Sequence, residues 1–286
     1  MAHLVRKQPQ ISVIMTSFNA EKTIGEAIES ILSQTFRDFE FIIVNDGSRD
    51  RTLEKIRHYK DNRLRLVEQR HLGRVPSLNH AVRLASGHYI GNLDADDVAL
   101  PERLENQVLF LESRPEVGLL GTFGIEMNEY TGEEKEIRLP VTNKDIRKAF
   151  AFYCPFIHSS VMIRRAVFAR VGLYNENLAH SEDLDLWIRI ASRHTIANLP
   201  KYLVKKRIHP HQSFKNIKED VRFLNEARLG WQAARSLSLP FPIKIHALLF
   251  YIYACTPEHV RANVKKIFPT KLTRSLADSR GGWRIS

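Results

Sequence analysis

The stretch ISVIMTSFNAEKTIGEAIESILSQTFRDFEFIIV, residues 11–44, combines two apolar runs with a helical repeat between them. Residues 11–15 and 40–44 are short, nearly continuous apolar runs, which is typical of buried strands. Residues 22–33 repeat apolar side chains with a helical period and so predict an amphipathic helix. Its apolar face is formed by Ile24, Ala27, Ile28, Ile31 and Leu32. The stretch therefore predicts a strand-helix-strand unit.

The same alternation continues beyond this unit. Further helices are predicted at 51–59, 76–85 and 104–112, and further strands at 64–68, 88–93 and 117–121. Repeated units of this kind predict an α/β fold with an open, mostly parallel sheet that has helices on both faces. Ligands of such sheets bind at the carboxyl ends of the strands.

Polar residues follow three of the predicted strands, at 16–19, 45–48 and 94–97. Their convergence on one edge of the sheet predicts a binding site there. The loop after the first strand has no glycine-rich fingerprint, so neither a dinucleotide loop nor a P-loop is predicted. Metal and side chains are therefore expected to hold any phosphate groups.

The segment Gly91-Asn92-Leu93-Asp94-Ala95-Asp96-Asp97 places three carboxylates in four residues. In an extended segment Asp94 and Asp96 would point the same way, about 7 Å apart. A hard divalent cation relieves the repulsion between them, and Mg²⁺ leaves coordination positions to substrate phosphates. The alternative is an acidic turn that caps a helix beginning near residues 100–102, and Asp97 in particular fits a cap.

The chain has 43 Lys and Arg against 32 Asp and Glu, a net charge of +11, which indicates an anionic partner. Residues 244–286 contribute +6, from eight basic residues and two acids. The apolar segment 247–255 is shorter than a membrane span, and it predicts either an interfacial helix on an anionic bilayer or a core helix. Nucleic acid is not expected, since aromatics do not interleave with the basic residues.

The first ten residues, MAHLVRKQPQ, show no secretion signal, and a cytoplasmic location is predicted. Two cysteines, Cys154 and Cys255, form neither a ligand spacing nor a disulfide framework. After residue 128 the pattern becomes less regular, with short strands predicted at 161–163 and 202–204 and a helical face along 184–191.

Four motifs in order resemble the inverting nucleotide-sugar glycosyltransferases of family 2, which share the Rossmann-like GT-A fold. They are Ser12-Val13-Ile14 before Phe18-Asn19, then Asn45-Asp46-Gly47-Ser48, Asp94-Ala95-Asp96-Asp97, and Glu182-Asp183 before Leu186-Trp187. The resemblance implies transfer of a sugar from a nucleoside diphosphate, most often UDP, to an acceptor hydroxyl with Mn²⁺ or Mg²⁺. It implies a GT-A domain at 1–215, with a donor half at about 10–125 and an acceptor half at about 126–215. Residues 216–286 then form a basic helical extension.

The resemblance also implies roles for individual residues. Asp96 is the first choice for metal ligand, while Asp94 contacts the ribose or the water shell of the metal, and His209 completes the metal site or binds the diphosphate. The expected donor contacts are Thr16, Phe18, Asn19, Asp46, Arg74, Asn79, Ala95, Arg207 and Ser213. The chain departs from the family pattern at Ser77-Leu78-Asn79, where Ala-Arg-Asn is common, and Arg74 is the candidate to replace that arginine. Thr16 also stands where proline is common, so the donor stays open.

An acceptor alcohol needs a positioned carboxylate to become nucleophilic. The resemblance implies that Asp183, the second acid of the Glu-Asp pair, is this general base and that Glu182 is its neighbour in acceptor or donor-sugar binding. The alternative is that both are acids favoured by the helix dipole. His158, Ser159 and Trp187 are expected on the acceptor side. A glycan or lipid-linked acceptor is predicted, with the protein peripheral on the inner face of the cell membrane. A sugar-phosphate nucleotidyltransferase and a non-catalytic basic binding module are the alternative functions.

Overall fold

A computed structural model describes residues 8–178, 180–209, 219–256 and 261. Its strands are β1 Ile11–Ser17, β2 Phe39–Asp46, β3 Leu64–Gln69, β4 Tyr89–Asn92, β5 Val98–Ala99, β6 Val117–Asn128, β7 Glu134–Ile137, β8 Met162–Arg164 and β9 Thr195–Ile208. Its helices are α1 Ile24–Leu32, α2 Thr52–His58, α3 Arg74–Leu84, α4 Arg103–Ser113, α5 Asn143–Ala149, α6 Arg165–Val171, α7 Glu182–Ala191, α8 Glu219–Ser236 and α9 Phe241–Cys255.

The strands form one sheet in the order β3-β2-β1-β4-β8-β6-β9-β5, with β7 paired to β6. The four strands predicted from the regular alternation, β1 to β4, are parallel to one another. Later strands are mixed: β8 runs antiparallel to both β4 and β6, whereas β6 and β9 are parallel. The predicted parallel sheet is thus confirmed in the first half, and the second half adds antiparallel pairs to it.

Each face of the sheet carries its own apolar core, because side chains alternate across a strand. In β1, Ile11, Val13 and Met15 pack with α1 and α4, whereas Ile14 faces α3 and α7. Both faces of the central strand are therefore buried, as in other parallel sheets that helices cover on two sides. The open edge left for a ligand is the carboxyl end of β1, β2 and β4.

Two of the sequence predictions are corrected by the fold. The acidic motif is a turn that begins after β4 ends at Asn92, and not the end of an extended strand. The strand predicted at 202–204 is an internal part of β9, a 14-residue strand that starts at Thr195. Pairing with β6 along most of its length extends it beyond its apolar residues.

Helices α8 and α9 form a hairpin at the C-terminal end of the described residues. Phe223 near the start of α8 contacts Phe250 and Tyr253 near the end of α9, so the two helices run antiparallel. Within the described residues, no helix has the length and apolarity needed to cross a bilayer. The predicted boundary at residue 215 and most of the basic sequence after residue 256 lie outside the described residues.

Candidate active site

Hydrogen bonds tie the loop after β1 to the loop after β2. The backbone N–H of Asn19 donates to Oγ of Ser48 at 3.1 Å, and the N–H of Arg49 donates to Oδ1 of Asn19 at 2.8 Å. Asn19 has a left-handed φ of 50°, which asparagine adopts more readily than most residues. Thr16 is the second-last residue of β1 and lies beside this junction, half-buried.

Phe18 presents an aromatic face at this edge. Its side chain is 43% exposed and stacks on the imidazole of His71, with ring centroids 4.1 Å apart and planes 25° from parallel. A stacked, exposed pair of rings provides a surface on which a planar base can lie. Phe18 therefore lies at the rim of the sheet and not in the core, and its contact with the base stays a prediction.

Asp46 ends β2 and organises the loop that follows β3. Its buried carboxylate accepts hydrogen bonds from the backbone N–H groups of Leu72 and Gly73, at 2.8 and 2.9 Å, and from Nε2 of Gln69 at 2.8 Å. Burial opposes ionisation, but these hydrogen bonds outweigh it and hold the pKa of Asp46 below its ordinary value. Asp46 therefore remains ionised and holds residues 69–73 over the end of β2.

The three aspartates after β4 converge because the chain turns between them. The N–H of Asp97 donates to the carbonyl oxygen of Asp94 at 3.2 Å, with the small Ala95 buried inside the turn. One carboxylate oxygen from each of Asp94, Asp96 and Asp97 lies within 4.8 Å of the other two. The predicted extended spacing is therefore wrong, and the turn brings the carboxylates closer together than a strand would.

The motif does not cap the next helix. That helix, α4, begins at Arg103, and its N-cap residue is Glu102, whose side chain makes no capping hydrogen bond. Asp97 instead is buried, accepts a hydrogen bond from the Ser159 hydroxyl and accepts another from the N–H of Arg207 at 2.9 Å. The capping alternative for Asp97 is thus wrong.

Asp97 carries an unusual charge state for a carboxylate. Burial, together with the nearby carboxylates of Asp96 and Asp94, raises its pKa to about 8. Without a cation, repulsion between three neighbouring carboxylates opposes ionisation of all three, so one of them retains its proton. We therefore add Asp97 to the candidate metal ligands. The sequence signal for it was the third acid of the motif itself.

The ligand chemistry of this cluster suits a hard divalent cation. All three aspartates offer carboxylate oxygens, and Nε2 of His209 lies 2.9 Å from Oδ2 of Asp96. Oxygen donors with one imidazole fit Mg²⁺ or Mn²⁺ better than a soft metal. The predicted ligands Asp94 and Asp96 are thus brought together with Asp97, and His209 contacts Asp96 beside them.

Two arginines hold this cluster from opposite sides. Arg74, the first residue of α3, donates from Nη2 to Asp94 at 2.8 Å and from Nε to Glu182 at 3.0 Å. Burial opposes ionisation of Asp94, but Arg74 and His158 lower its pKa. Arg207 donates from Nε to the carbonyl oxygen of Asp96 at 2.9 Å. Arg74 thereby joins the metal side of the site to the Glu182 side.

Glu182 and Asp183 open helix α7, directly after Ser181, which has a left-handed φ of 61°. Oδ1 of Asp183 accepts a hydrogen bond from the N–H of Leu184 at 2.7 Å. Burial and the adjacent Glu182 carboxylate raise the pKa of Asp183, against the opposing effects of His158 and Arg74. A carboxylate whose pKa is raised is a stronger base than an ordinary surface aspartate.

The predicted acceptor residues lie deeper than an acceptor surface. Trp187 is fully buried in the core, and Ser159 is buried with its hydroxyl accepting the N–H of Asp94 at 3.1 Å. His158 is 10% exposed, and its Nδ1 lies 3.0 Å from Oδ1 of Asp94. His158 and Ser159 therefore lie behind the acidic cluster and position it, whereas Trp187 packs in the core against His158.

One predicted donor residue is not brought to the rim. Asn79 is buried. Its Nδ2 donates hydrogen bonds to the carbonyl oxygen of Tyr174 and to Glu176, and its Oδ1 accepts one from the N–H of Tyr174. It supports the loop before α7. Ser213 lies outside the described residues, so its expected role stays a prediction.

Sequence reasoning missed two buried residues that hold the base of the acidic turn. Nδ2 of Asn92 lies 3.0 Å from Nε2 of His158, so Asn92 helps to orient the ring that contacts Asp94. Arg103 is fully buried, donates to the carbonyl oxygen of Asn92 at 2.8 Å, and has its pKa lowered to about 9 by burial. An arginine six residues after the acidic motif was the available sequence signal for the second of these.

Residues 12–172 match the family profile described as "Glycosyl transferase family 2". The chain belongs to glycosyl transferase family 2. This family 2 glycosyltransferase is 34% identical over 257 residues to the putative glycosyltransferase EpsE of Bacillus subtilis, covering 87% of this chain and 88% of EpsE. It is also 34% identical to the amylovoran biosynthesis glycosyltransferase AmsE of Erwinia amylovora, over 74% of this chain and 83% of AmsE.

Solved structures share the fold of this family 2 glycosyltransferase at lower identity. S. aureus TarS 1-349 in complex with UDP-GlcNAc is 20% identical and superposes with a TM-score of 0.69 over 94% of this chain and 80% of TarS. The mannosyltransferase PcManGT from Pyrobaculum calidifontis, in complex with GDP-Man and Mn2+, is 20% identical with a TM-score of 0.60 over 96% and 80%. The predicted GT-A fold is confirmed by these neighbours.

Proposed function

We propose that this glycosyltransferase moves a sugar from a nucleoside diphosphate donor to an acceptor hydroxyl, with inversion and with a divalent cation. The observation that carries the proposal is the link through Arg74 between the acidic cluster and the Glu182-Asp183 pair. The link supports the proposal because one side chain contacts both the proposed cation site and the neighbour of the proposed base. A nucleotidyltransferase or a simple charged binding module does not need a base there.

The donor diphosphate is proposed to lie against Asp94, Asp96 and Asp97, with His209 beside them. A bound Mn²⁺ or Mg²⁺ would stabilise the negative charge that develops on the leaving diphosphate. Arg207 lies next to Asp96 and supplies positive charge at the same point, and Ser213 is the predicted further phosphate contact. The base of the nucleotide is proposed to stack on Phe18, near Thr16, Asn19 and Asp46. UDP is the proposed nucleotide, supported by the TarS complex with UDP-GlcNAc.

Asp183 is the proposed general base. Its raised pKa suits it to take the proton of the acceptor hydroxyl while Glu182, held by Arg74, stays in place. A single base opposite the leaving group produces inversion, because retention requires a second, nucleophilic step. The acceptor hydroxyl is therefore proposed to enter beside the first turn of α7.

The acceptor is proposed to be a growing glycan or a lipid-linked glycan of a cell-surface polysaccharide. The AmsE relative, named for amylovoran biosynthesis, supports this setting. We further propose that residues 1–215 form the catalytic domain and that residues 216–286 are an extension, working at the inner face of the cell membrane. The excess of basic residues after residue 243 supports that location.

A panel of nucleotide sugars tests the proposed function. Release of nucleoside diphosphate should occur with one donor in the presence of Mn²⁺ or Mg²⁺ and should stop when a chelator is added. The Asp96→Asn variant should lose most of this activity at the same metal concentration. Turnover that is unaffected by the chelator would contradict the proposal.

A further inference from the structure

Helix α9 exposes a stripe of large apolar side chains along one face. Phe241 is 73% exposed, Ile245 42%, Leu249 57% and Ile252 52%. Their spacing of four, four and three residues places them on the same side of a helix. Single exposed apolar residues are ordinary, but a continuous apolar face indicates an interaction surface. We call these four residues the α9 stripe.

The other side of α9 is already occupied within the protein. Ala247 and Ala254 are buried, and Phe250 and Tyr253 contact Phe223 of α8. Helix α9 is thus apolar on its packed face and on its outer face as well. The fold explains the packed face, whereas nothing among the described residues covers the α9 stripe.

The charge of α9 and of the sequence that follows it favours one kind of partner surface. Helix α9 contains no acidic residue, and Lys244 lies between Phe241 and Ile245 in sequence. Residues 257–286, directly after α9, have seven Lys and Arg against two acids, Glu258 and Asp278. A second copy of this chain would bring the same positive charge and be repelled. An apolar face with basic flanks is complementary to an anionic lipid bilayer.

The hairpin that carries the α9 stripe is fixed to the part of the protein beside the proposed acceptor side. Gly230 of α8 packs so closely on residue 151 that a Cβ there would lie 2.8 Å from the Ala151 carbonyl oxygen. His246 of α9 contacts Phe152, with ring centroids 5.1 Å apart. Arg147 donates to the carbonyl oxygen of Leu237 at 3.2 Å, between the two helices. A surface that binds α9 therefore also holds residues 147–152, which belong to the predicted acceptor half, close to that surface.

We propose that the α9 stripe inserts into the interfacial region of an anionic bilayer and holds the acceptor half of the enzyme at the membrane surface. The substrate class that this arrangement serves is an acceptor glycan carried on a membrane lipid. Its purpose rests on the proposed function, but the docking itself does not depend on catalysis. Bilayer binding can therefore be measured without donor or acceptor.

The test is partitioning of the full chain onto vesicles of phosphatidylcholine with phosphatidylglycerol and onto vesicles of phosphatidylcholine alone. The Leu249→Glu variant should bind the anionic vesicles at least about tenfold more weakly. Burial of one leucine side chain in the bilayer strengthens binding by about tenfold or more, and the variant loses this contribution. The matched control is Leu109→Glu, an equally exposed leucine on α4 with the same charge change. It should bind nearly as the wild type does.

Three further results would overturn the inference. The first is wild-type protein that does not bind anionic vesicles. The second is an equal loss of vesicle affinity in Leu249→Glu and Leu109→Glu. The third is a dimer, seen in sedimentation velocity, that Leu249→Glu dissociates while its vesicle binding is kept. Calorimetry of UDP with Mn²⁺ on the same preparations separates the two proposals. Intact nucleotide binding with no vesicle binding would overturn only the docking, whereas vesicle binding without nucleotide binding would count only against the proposed function.

Discussion

Asp183 stands at the first turn of α7, where burial and Glu182 raise its pKa. We predict that Asp183→Asn lowers kcat by at least about 10²-fold with little change in donor binding, because the amide cannot accept the acceptor proton. The control is Asp145→Asn, which removes a first-turn acid from α5, away from the cluster. Steady-state kinetics on both variants check this, and equal activity of the two would remove Asp183 from the role of base.

The proton on Asp97 predicts a pH dependence of cation binding. Its pKa of about 8 means that the group is mostly protonated at neutral pH, and a cation has to displace that proton. Affinity for Mn²⁺ should therefore rise as the pH increases toward about 8 and level off above that value. Titration of Mn²⁺ at several pH values measures this dependence.

The variant Asp97→Asn provides the control for this pH dependence. It removes one ligand and the titrating proton together, so Mn²⁺ should bind more weakly, with a flatter dependence on pH around that pKa. A wild-type affinity that stays constant through this range would contradict the assignment of Asp97 as a ligand.

At the scale of residues, the sequence predicted the acidic cluster from three acids directly after an apolar run, and it predicted the Glu-Asp pair from the family resemblance. It did not predict how the acids are held. The contacts of Arg74 with Glu182, and of His158 with Asp94, join residues more than 60 positions apart. Such contacts follow from the tertiary fold, and no local pattern reports them.

The turn after β2 depends on a single glycine. Gly47 has a φ of +71°, and a Cβ there would lie 2.7 Å from the backbone nitrogen of His71. We predict that Gly47→Ala displaces the 69–73 loop, breaks the hydrogen bonds of Asp46 to Leu72 and Gly73, and weakens UDP binding by about tenfold. This magnitude corresponds to about one lost hydrogen bond to a charged group.

Gly132 provides a matched control for the same change. It also has a left-handed φ, +67°, but no atom lies within 4 Å of the position of its Cβ. Gly132→Ala should therefore cost only the backbone strain, about 1–2 kcal/mol, with UDP binding kept. Chemical unfolding and calorimetry separate these two effects, and equal loss of UDP binding in both variants would contradict the role given to the loop.

At the scale of elements, helices and strands were predictable wherever their periodicity was local. Strands β1 to β4 and the helices between them follow this rule. The antiparallel entry of β8 between β4 and β6 was not predictable, since its three residues carry too little pattern to specify partners. The acidic turn was missed for a related reason: alternation was extended past the last residue of β4.

For the whole molecule, the net charge of +11 indicated an anionic partner but did not say which one. We propose two places for an anionic partner, the cation site at the edge of the sheet and a bilayer beside α9. The apolar segment 247–255 was predicted as either an interfacial or a core helix. Helix α9 has a packed face, as a core helix would, and its exposed α9 stripe leaves the interfacial role a proposal.

The central claim is that the three aspartates hold a cation that carries the diphosphate of the donor. The most direct measurement is anomalous scattering at the manganese edge from a crystal soaked with UDP and Mn²⁺. We predict a single strong peak in contact with the carboxylates of Asp94, Asp96 and Asp97 and with the diphosphate oxygens. A peak elsewhere, or a bound UDP with no manganese at these aspartates, would contradict the claim.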